Sequence, residues 1–465
     1  REKMISKEIA TQVLEKCLIT GGDFAEIFEE DSITNSISVL DDKVENILGG
    51  RDYGIGIRIF KNLKSVYAYT NDNSLSSLLD TAYKAAIALG KIEDGKSIVL
   101  NNQKTFKNMH PIKIYPNTVD CKDKIKVMKT AYKSAKDFHS DISKVSVGYL
   151  DKEQNILIAN SEGLYTEDTR IRTRLMINAI ASNENENQTG SQNPGRLMGF
   201  EMFKDEVDPE YHAREAAKTA HIMLHAKNCP AGKMPVAIDN GFGGVIFHEA
   251  CGHSLEATAV AKGNSVFCDK LGQQIASSKI TAIDDGTMKN HWGSSNIDDE
   301  GTPTRRNVLI ENGILKSYMV DKLNARRMNT EVTGSSRRQS YKYEPTSRMT
   351  NTYIAPGEDK VEDIIKSIDD GLYAKKMGGG SVNPVTGEFN FAVSEGYLVK
   401  NGEITEPVRG ASLIGKGSEI LMDIDMVSDN VAQAEGMCGS KSGSIPVNVG
   451  QPMIRVKSIT VGGRD

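Results

Sequence analysis

Apolar residues recur at Ile9, Val13, Leu14, Cys17 and Leu18 behind the cap candidate Ser6, the period of an amphipathic helix, and Gly21-Gly22 stops the run. Short stretches of strand character follow at Phe24–Glu30, Ser36–Leu40, Tyr53–Phe60 and Ser65–Tyr69. Asn, Asp and Gly clusters part them, which predicts antiparallel hairpins. A helical period returns over Leu75–Leu89, and residues 90–117 read as a polar connector containing Pro111 and Pro116. That connector is a candidate internal boundary.

The mixture then repeats. Lys122–Ala135 and Pro209–Ala226 read as helices, Val145–Leu150, Ile156–Asn160 and Tyr165–Ser182 as strands, and Asn183–Arg196 as an exposed loop. From Met234 onward short strands between glycine turns dominate, as at Val308–Ile310, Ile314–Val320, Glu388–Leu398 and Ile454–Val461. The expected class is α+β. The expected domains are 1–230, with helices packed on antiparallel sheets, and 231–465, largely β around one chemically distinctive helix.

Composition narrows the function. The chain has 465 residues and a net charge of 57 − 62 = −5, so it has no cation surplus for nucleic acid and shows no basic stripe. No run approaches the roughly 18 apolar residues of a membrane span, and the first residues, Arg1–Glu8, show no apolar signal segment. The six cysteines are scattered without a CxxC pair, as in a reduced cytosolic protein. The expected setting is the cytoplasm, without nucleic acid or membrane partners.

The helix candidate from Asn240 to Ala257 carries His248-Glu249-x-x-x-His253. Two neutral imidazoles on one cation, with a carboxylate beside them to take a proton from water, are the parts of metal-assisted hydrolysis. With eight histidines and 62 acids in 465 residues, roughly 0.02 such matches arise by accident. Yet five residues on an ideal α-helix turn the two rings about 140° apart, against about 40° for a spacing of four. A shared ion therefore requires a π-bulge or local unwinding, and Gly252 offers the place. Without it, the stretch is a helix with two unrelated histidines.

Two other patterns carry less. His221 and His225 have the better spacing for a shared metal, but Ile222 follows the first where a base is needed, and the pair reads as a polar helix flank. Gly378-Gly379-Gly380-Ser381 lacks the ending of a P-loop and the GxGxxG of a dinucleotide fold. It reads as a turn or as a close backbone approach to a ligand, so Gly378, Gly379 and Gly380 are candidate substrate-binding positions.

The motif continues as His248-Glu249-Ala250-x-Gly252-His253-x-Leu255-Glu256. With it go Gly272-Gln273-Gln274, Ile297-Asp298-Asp299-Glu300-Gly301-Thr302-Pro303, Arg348-Met349-Thr350-Asn351-Thr352-Tyr353 and Val447-x-Val449-Gly450-Gln451-Pro452. From about residue 236 onward the chain closely resembles the TldD/PmbA metallopeptidase family, in its metal-bearing TldD branch; the N-terminal half matches in its order of elements. The resemblance implies a third ligand within a Met-Cys-Gly context, here Met437-Cys438-Gly439, so that His248, His253 and Cys438 hold one divalent metal. Two imidazoles and a thiolate leave one tetrahedral position open, the pattern of a catalytic zinc. Glu249 is then the general base. Glu256 either hydrogen-bonds a ligating imidazole or faces solvent, and Cys251 is assigned to packing.

The resemblance further implies hydrolysis of extended or unfolded peptides, such as peptide precursors and unstructured regulatory proteins. It implies a dimer as well, either of identical chains or with a homologous subunit lacking the motif. The rival expectation is a non-catalytic binding protein of the kind called a modulator of DNA gyrase, against which the full ligand set argues.

Overall fold

The computed structural model describes residues 4–93, 96–383 and 386–463. Arg1–Lys3 and the Asp94-Gly95 step of the connector, both read above from sequence, lie outside the described residues. Helix α1 (Lys7–Cys17) starts at Ser6, whose side chain accepts the Ile9 N–H, and α2 (Leu75–Ile87) starts likewise at Ser74. Their buried stripes, Val13, Leu14, Leu78 and Ala82 among them, pack on Ile27, Ile55, Ile57 and Ile59 of the first sheet.

That sheet has its main strands in the order β3-β2-β1-β4-β5, antiparallel to one another, and the short segment Asn102–Gln103 pairs in parallel with Leu164-Tyr165 at its edge. Its strands are β1 (Phe24–Leu40), β2 (Lys43–Lys61), β3 (Lys64–Thr70), β4 (Ile142–Asn160) and β5 (Leu164–Ser182). Four of them run 17 to 19 residues, so the short strands expected from sequence merge. The polar stretch after Glu30 is no turn. Asp31 pairs with Arg51 at 2.7 Å, Glu30 accepts from Gln154 at 2.9 Å, and Asn35 donates to Asp151 at 2.8 Å. Cross-strand partners thus satisfy polar residues that look like loop in isolation. The expected loop Asn183–Arg196 is also corrected: β6 (Asn187–Gln192) pairs back on β5. Helices α3 (Cys121–Lys136) and α4 (Pro209–His225) share a core with Val145, Val147, Leu175 and Ile177.

Two further sheets build the C-terminal half. Strands β7 (Gly232–Ile238), β11 (Asp370–Val382), β12 (Glu388–Lys400), β13 (Ser412–Lys416) and β16 (Ile454–Gly462) pair in the order β11-β7-β16-β13-β12, and β12 returns to β11. This closed ring encloses Val236, Leu372, Phe391, Leu413 and Val461. The third sheet runs β9-β8-β10-β15-β14. Its strands are β8 (Ala282–Asp285), β9 (Arg306–Glu311), β10 (Asn351–Ile354), β14 (Ala432–Ser440) and β15 (Gly443–Gln451). The β7–β11 and β10–β15 pairs are parallel, so these sheets are mixed rather than purely antiparallel.

The halves meet across a junction that is apolar and charged at once. Phe28, Ile156 and Ile158 of the first sheet pack against Ile297 and Tyr341. Beside them Arg58 contacts Glu26 at 3.1 Å and Glu300 at 2.7 Å, and Arg338 contacts Glu26 at 2.9 Å, every side chain at most 1 % exposed. Arg170 reaches Asp299 at 2.6 Å.

Candidate metal centre

The stretch from Gly241 to Val260 is no single helix. It runs as a 3₁₀ turn over Gly241–Gly244, an α-turn over Val245–Phe247, a π-turn over His248–Gly252 and a 3₁₀ turn over His253–Leu255. Glu256 is extended before a last α-turn, Ala257–Val260. The π-turn resolves the spacing problem: the His253 N–H donates to the His248 carbonyl, so residues five apart become neighbours along the axis. Close packing explains the glycines. A Cβ at Gly244 would stand 2.6 Å from the Gly450 backbone of β15, and one at Gly243 would meet the Gln451 amide at 2.7 Å. Only a bare backbone lets this turn lie on β15.

The two imidazoles stand nearly perpendicular, 85° apart with centroids separated by 5.0 Å. Cys438 on β14 brings its Sγ to 3.4 Å from His253 Nε2. One donor atom from each of His248, His253 and Cys438 lies within 4.8 Å of the others. The hairpin that carries Cys438 is pinned from behind by Arg348, which is fully buried and donates to the Cys438 carbonyl, Ser442 Oγ and the Gly443 carbonyl. No spacing rule singles out Arg348 as a support; its one signal is a place in the Arg348–Tyr353 segment quoted above.

The carboxylates sit on either side. Glu249 lies 3.6 Å from His253 Nε2 and 4.0 Å from His248 Nε2, and is about one-third exposed. Glu256 Oε2 lies 3.2 Å from His253 Nδ1. Burial pushes His248 well below its usual range, with the neighbouring His253 adding to the effect, so this ring is neutral at pH 7. Burial also opposes charge on His253, but the Glu256 carboxylate and the contact with Cys438 outweigh it and hold that ring well above its usual range. Glu249 is raised, chiefly by burial. His248 Nδ1 is buried with no hydrogen-bond partner. A neutral imidazole with an unpartnered nitrogen, a second imidazole and a thiol in mutual reach form a donor set suited to a divalent cation.

Cys251 is buried against the Gly417 carbonyl, away from this cluster. Gly378–Gly380 lie on β11 beyond its pairing with β7, alongside β12; among the described residues no hydrogen bond or ion pair links them to the two histidines or Cys438. His221 and His225 gain company the sequence did not reveal. Asp141 Oδ2 lies 2.8 Å from His221 Nδ1, 2.7 Å from His225 Nε2 and 3.3 Å from His139 Nδ1.

Family models match along the chain: PmbA/TldA metallopeptidase domain 1 at residues 25–86, the central domain at 114–224 and the C-terminal domain at 231–463. The chain belongs to this TldD/PmbA metallopeptidase family. The metalloprotease TldD homolog of Buchnera aphidicola (Acyrthosiphon pisum) is 37 % identical over 423 residues, 89 % of this chain and 87 % of that one. The homolog from Haemophilus influenzae is 36 % identical over 452 residues, 95 % and 93 % of the two chains. Crystal structures share the fold. A Thermotoga maritima protein described as a candidate modulator of a DNA gyrase superposes with a TM-score of 0.81 at 22 % identity, covering 98 % of this chain and 100 % of that one. TldE from Thermococcus kodakarensis superposes with a TM-score of 0.75 at 20 % identity, covering 98 % and 99 %. No helix among the described residues is long and apolar enough to cross a membrane.

Proposed function

We propose that this chain is a metal-dependent peptidase acting on extended or unfolded peptides, with His248, His253 and Cys438 holding one divalent cation, zinc by preference, and Glu249 as general base. The observation that carries the reading is the convergence of those three donor atoms within 4.8 Å, with a raised, half-buried carboxylate beside them. Mixed nitrogen and sulfur ligation suits zinc. When bound, such a cation supplies Lewis acidity toward water and the scissile carbonyl.

The chain's own residues do the rest. Glu256, accepting from His253 Nδ1, fixes the tautomer that leaves Nε2 as the donor atom. Glu249 takes the proton of the attacking water as the new C–O bond forms, then returns it to the amide nitrogen as the C–N bond breaks. Cys438 lies on β14, which among the described residues pairs with β15 along one edge only. A peptide added as a strand along the open edge is held through its backbone, which demands an unfolded segment and tolerates varied side chains. Gly378–Gly380, on β11 of the neighbouring ring, are retained as further backbone contacts proposed for the peptide. The reading includes a cytoplasmic setting and a dimer, of identical chains or with a homologous subunit lacking the motif.

Elemental analysis with hydrolysis of an unstructured peptide tests it. Cys438→Ala is expected to lose most of its metal; full retention would remove Cys438 from the ligand set. Glu249→Gln is expected to keep the metal and lose about 10²–10⁴-fold in turnover, because an amide of the same shape cannot take a proton from water. Turnover at the wild-type rate would place the base elsewhere. A stably folded domain should be cleaved more slowly than the same domain unfolded by a core substitution, and equal rates would exclude an enclosed groove.

A further inference from the structure

A cavity of about 380 Å³ opens between β4, β5 and the β14–β15 hairpin, and Met437, next to the proposed ligand Cys438, forms part of its wall. Six basic and two acidic side chains line it. Three of the six are neutralised locally: Arg170 by Asp299 and Asp168, Arg338 by Glu26, and Lys152 by Glu30. The other three are not. Arg172 donates to the Trp292 and Ser294 carbonyls at 2.9 and 2.8 Å. Arg337 donates to the Met349 and Pro446 carbonyls at 2.6 and 2.7 Å. Arg174 has only long contacts, 3.3 Å to the Asn193 carbonyl and 3.4 Å to that of Glu435, and lies over the Trp292 ring. Among the described residues none of these three has a carboxylate partner; nearby Glu435 is taken by Arg196.

Taking Arg172 and Arg337 fully, and Arg174 partly, out of water without a carboxylate partner is costly. Burial pushes Arg337 down to about 10 and Arg172 well below its ordinary range. The backbone carbonyls orient these groups without cancelling their charge. The rest of the wall is apolar at Trp292, Met176, Met437 and Ile445 and polar but uncharged at Gln154 and Gln339 and at three hydroxyl side chains. A concave wall, apolar in part, with a few convergent charged donors is the form of a binding site, and fork-shaped donors match a carboxylate.

We propose that this cavity is the subsite for a carboxylate on the bound peptide, carried either by an Asp or Glu side chain or by the chain's C-terminus. The proposal rests on the peptidase reading and gives it a substrate class. A chain laid along the open edge of β14 passes the cavity, because Met437 belongs to both. Arg174, the least engaged of the three, is positioned to turn toward the incoming group.

The test is fluorescence anisotropy with the full-length chain, with and without a chelator, so that binding is read whether or not the chain hydrolyses anything. Three labelled, unstructured peptides of one sequence are compared: a neutral one with an amidated terminus, one with a single Glu and an amidated terminus, and a neutral one with a free terminal carboxylate. At least one carboxylate peptide should bind about tenfold tighter than the neutral amide, the scale of a charge-assisted pair, and which one identifies the source of the group. Arg174→Met should erase most of that advantage. Arg337→Met should do the same, and if it fails to fold, as its burial allows, half-buried Arg174 still decides the matter. Equal affinity for all three peptides, or an undiminished advantage in Arg174→Met, overturns the proposal. Failure of the peptidase reading would show differently, as carboxylate-selective binding without metal-dependent cleavage.

Discussion

The charged junction between the halves makes a sharp energetic prediction. Arg58, Arg338, Glu26 and Glu300 form a cluster of two cations and two anions, each side chain at most 1 % exposed. Glu300→Gln keeps an acceptor for the Lys322 N–H, which Glu300 binds at 2.9 Å, but leaves two guanidinium groups sharing Glu26. Arg58→Met leaves Glu300 without its cation. Stranding one buried charge costs about 3–5 kcal/mol, a large share of a typical stability of about 5–15 kcal/mol. Additive losses would then total about 6–10 kcal/mol. In the double variant, however, Glu26 and Arg338 remain paired and the cluster is again neutral. Its loss should fall short of the sum by about 2–3 kcal/mol, within the range found for coupled neighbours. Equilibrium urea unfolding measures this, followed by the fluorescence of Trp292, the one tryptophan of the chain, which lies in the wall of the adjoining cavity. A double variant additive to within about 0.5 kcal/mol would mean that the four groups do not act as one charge-balanced unit.

Gly244→Ala should cost about 1–3 kcal/mol or more, since its methyl would stand 2.6 Å from the Gly450 backbone, and should weaken metal retention by pushing the π-turn off β15. Gly379→Ala, with nothing within 4 Å of the added carbon, should change the free energy of unfolding by less than about 0.5 kcal/mol. Burial raises Glu29 to about 7 despite its bonds from Tyr53 and Ile5. A raised carboxyl binds its proton more tightly in the folded state, so stability should decline as pH rises from about 4.5 to about 7, by up to about 3 kcal/mol. Glu29→Gln should flatten that slope in melts between pH 4.5 and 8, and an unchanged slope would assign it to other groups.

Local order is where the sequence spoke most directly. Helices α1 to α4 could be placed because apolar spacing, a cap such as Ser6, and stop signals act within a few residues. The length of β1 could not be. What carries the strand through Asp31 and Asn35 is Arg51 on one neighbour and Asp151 on the other, and partners so far apart in sequence leave no periodic trace. At the candidate centre, the five-residue step from His248 to His253 demanded an irregular helix, a demand of pure geometry, and the π-turn meets it. Cys438, 185 residues from His253, entered only by family resemblance. Its approach depends on β14 pairing with β15 and on Arg348 holding their turn. The cavity is further still from anything sequence could declare. Arg172, Arg174 and Arg337 stand in no sequence motif and come together only where the first sheet meets the β14–β15 hairpin. Sequence sets which groups are available and the local turns they favour; burial, and with it the strength of every charge, is a property of the assembled surfaces alone.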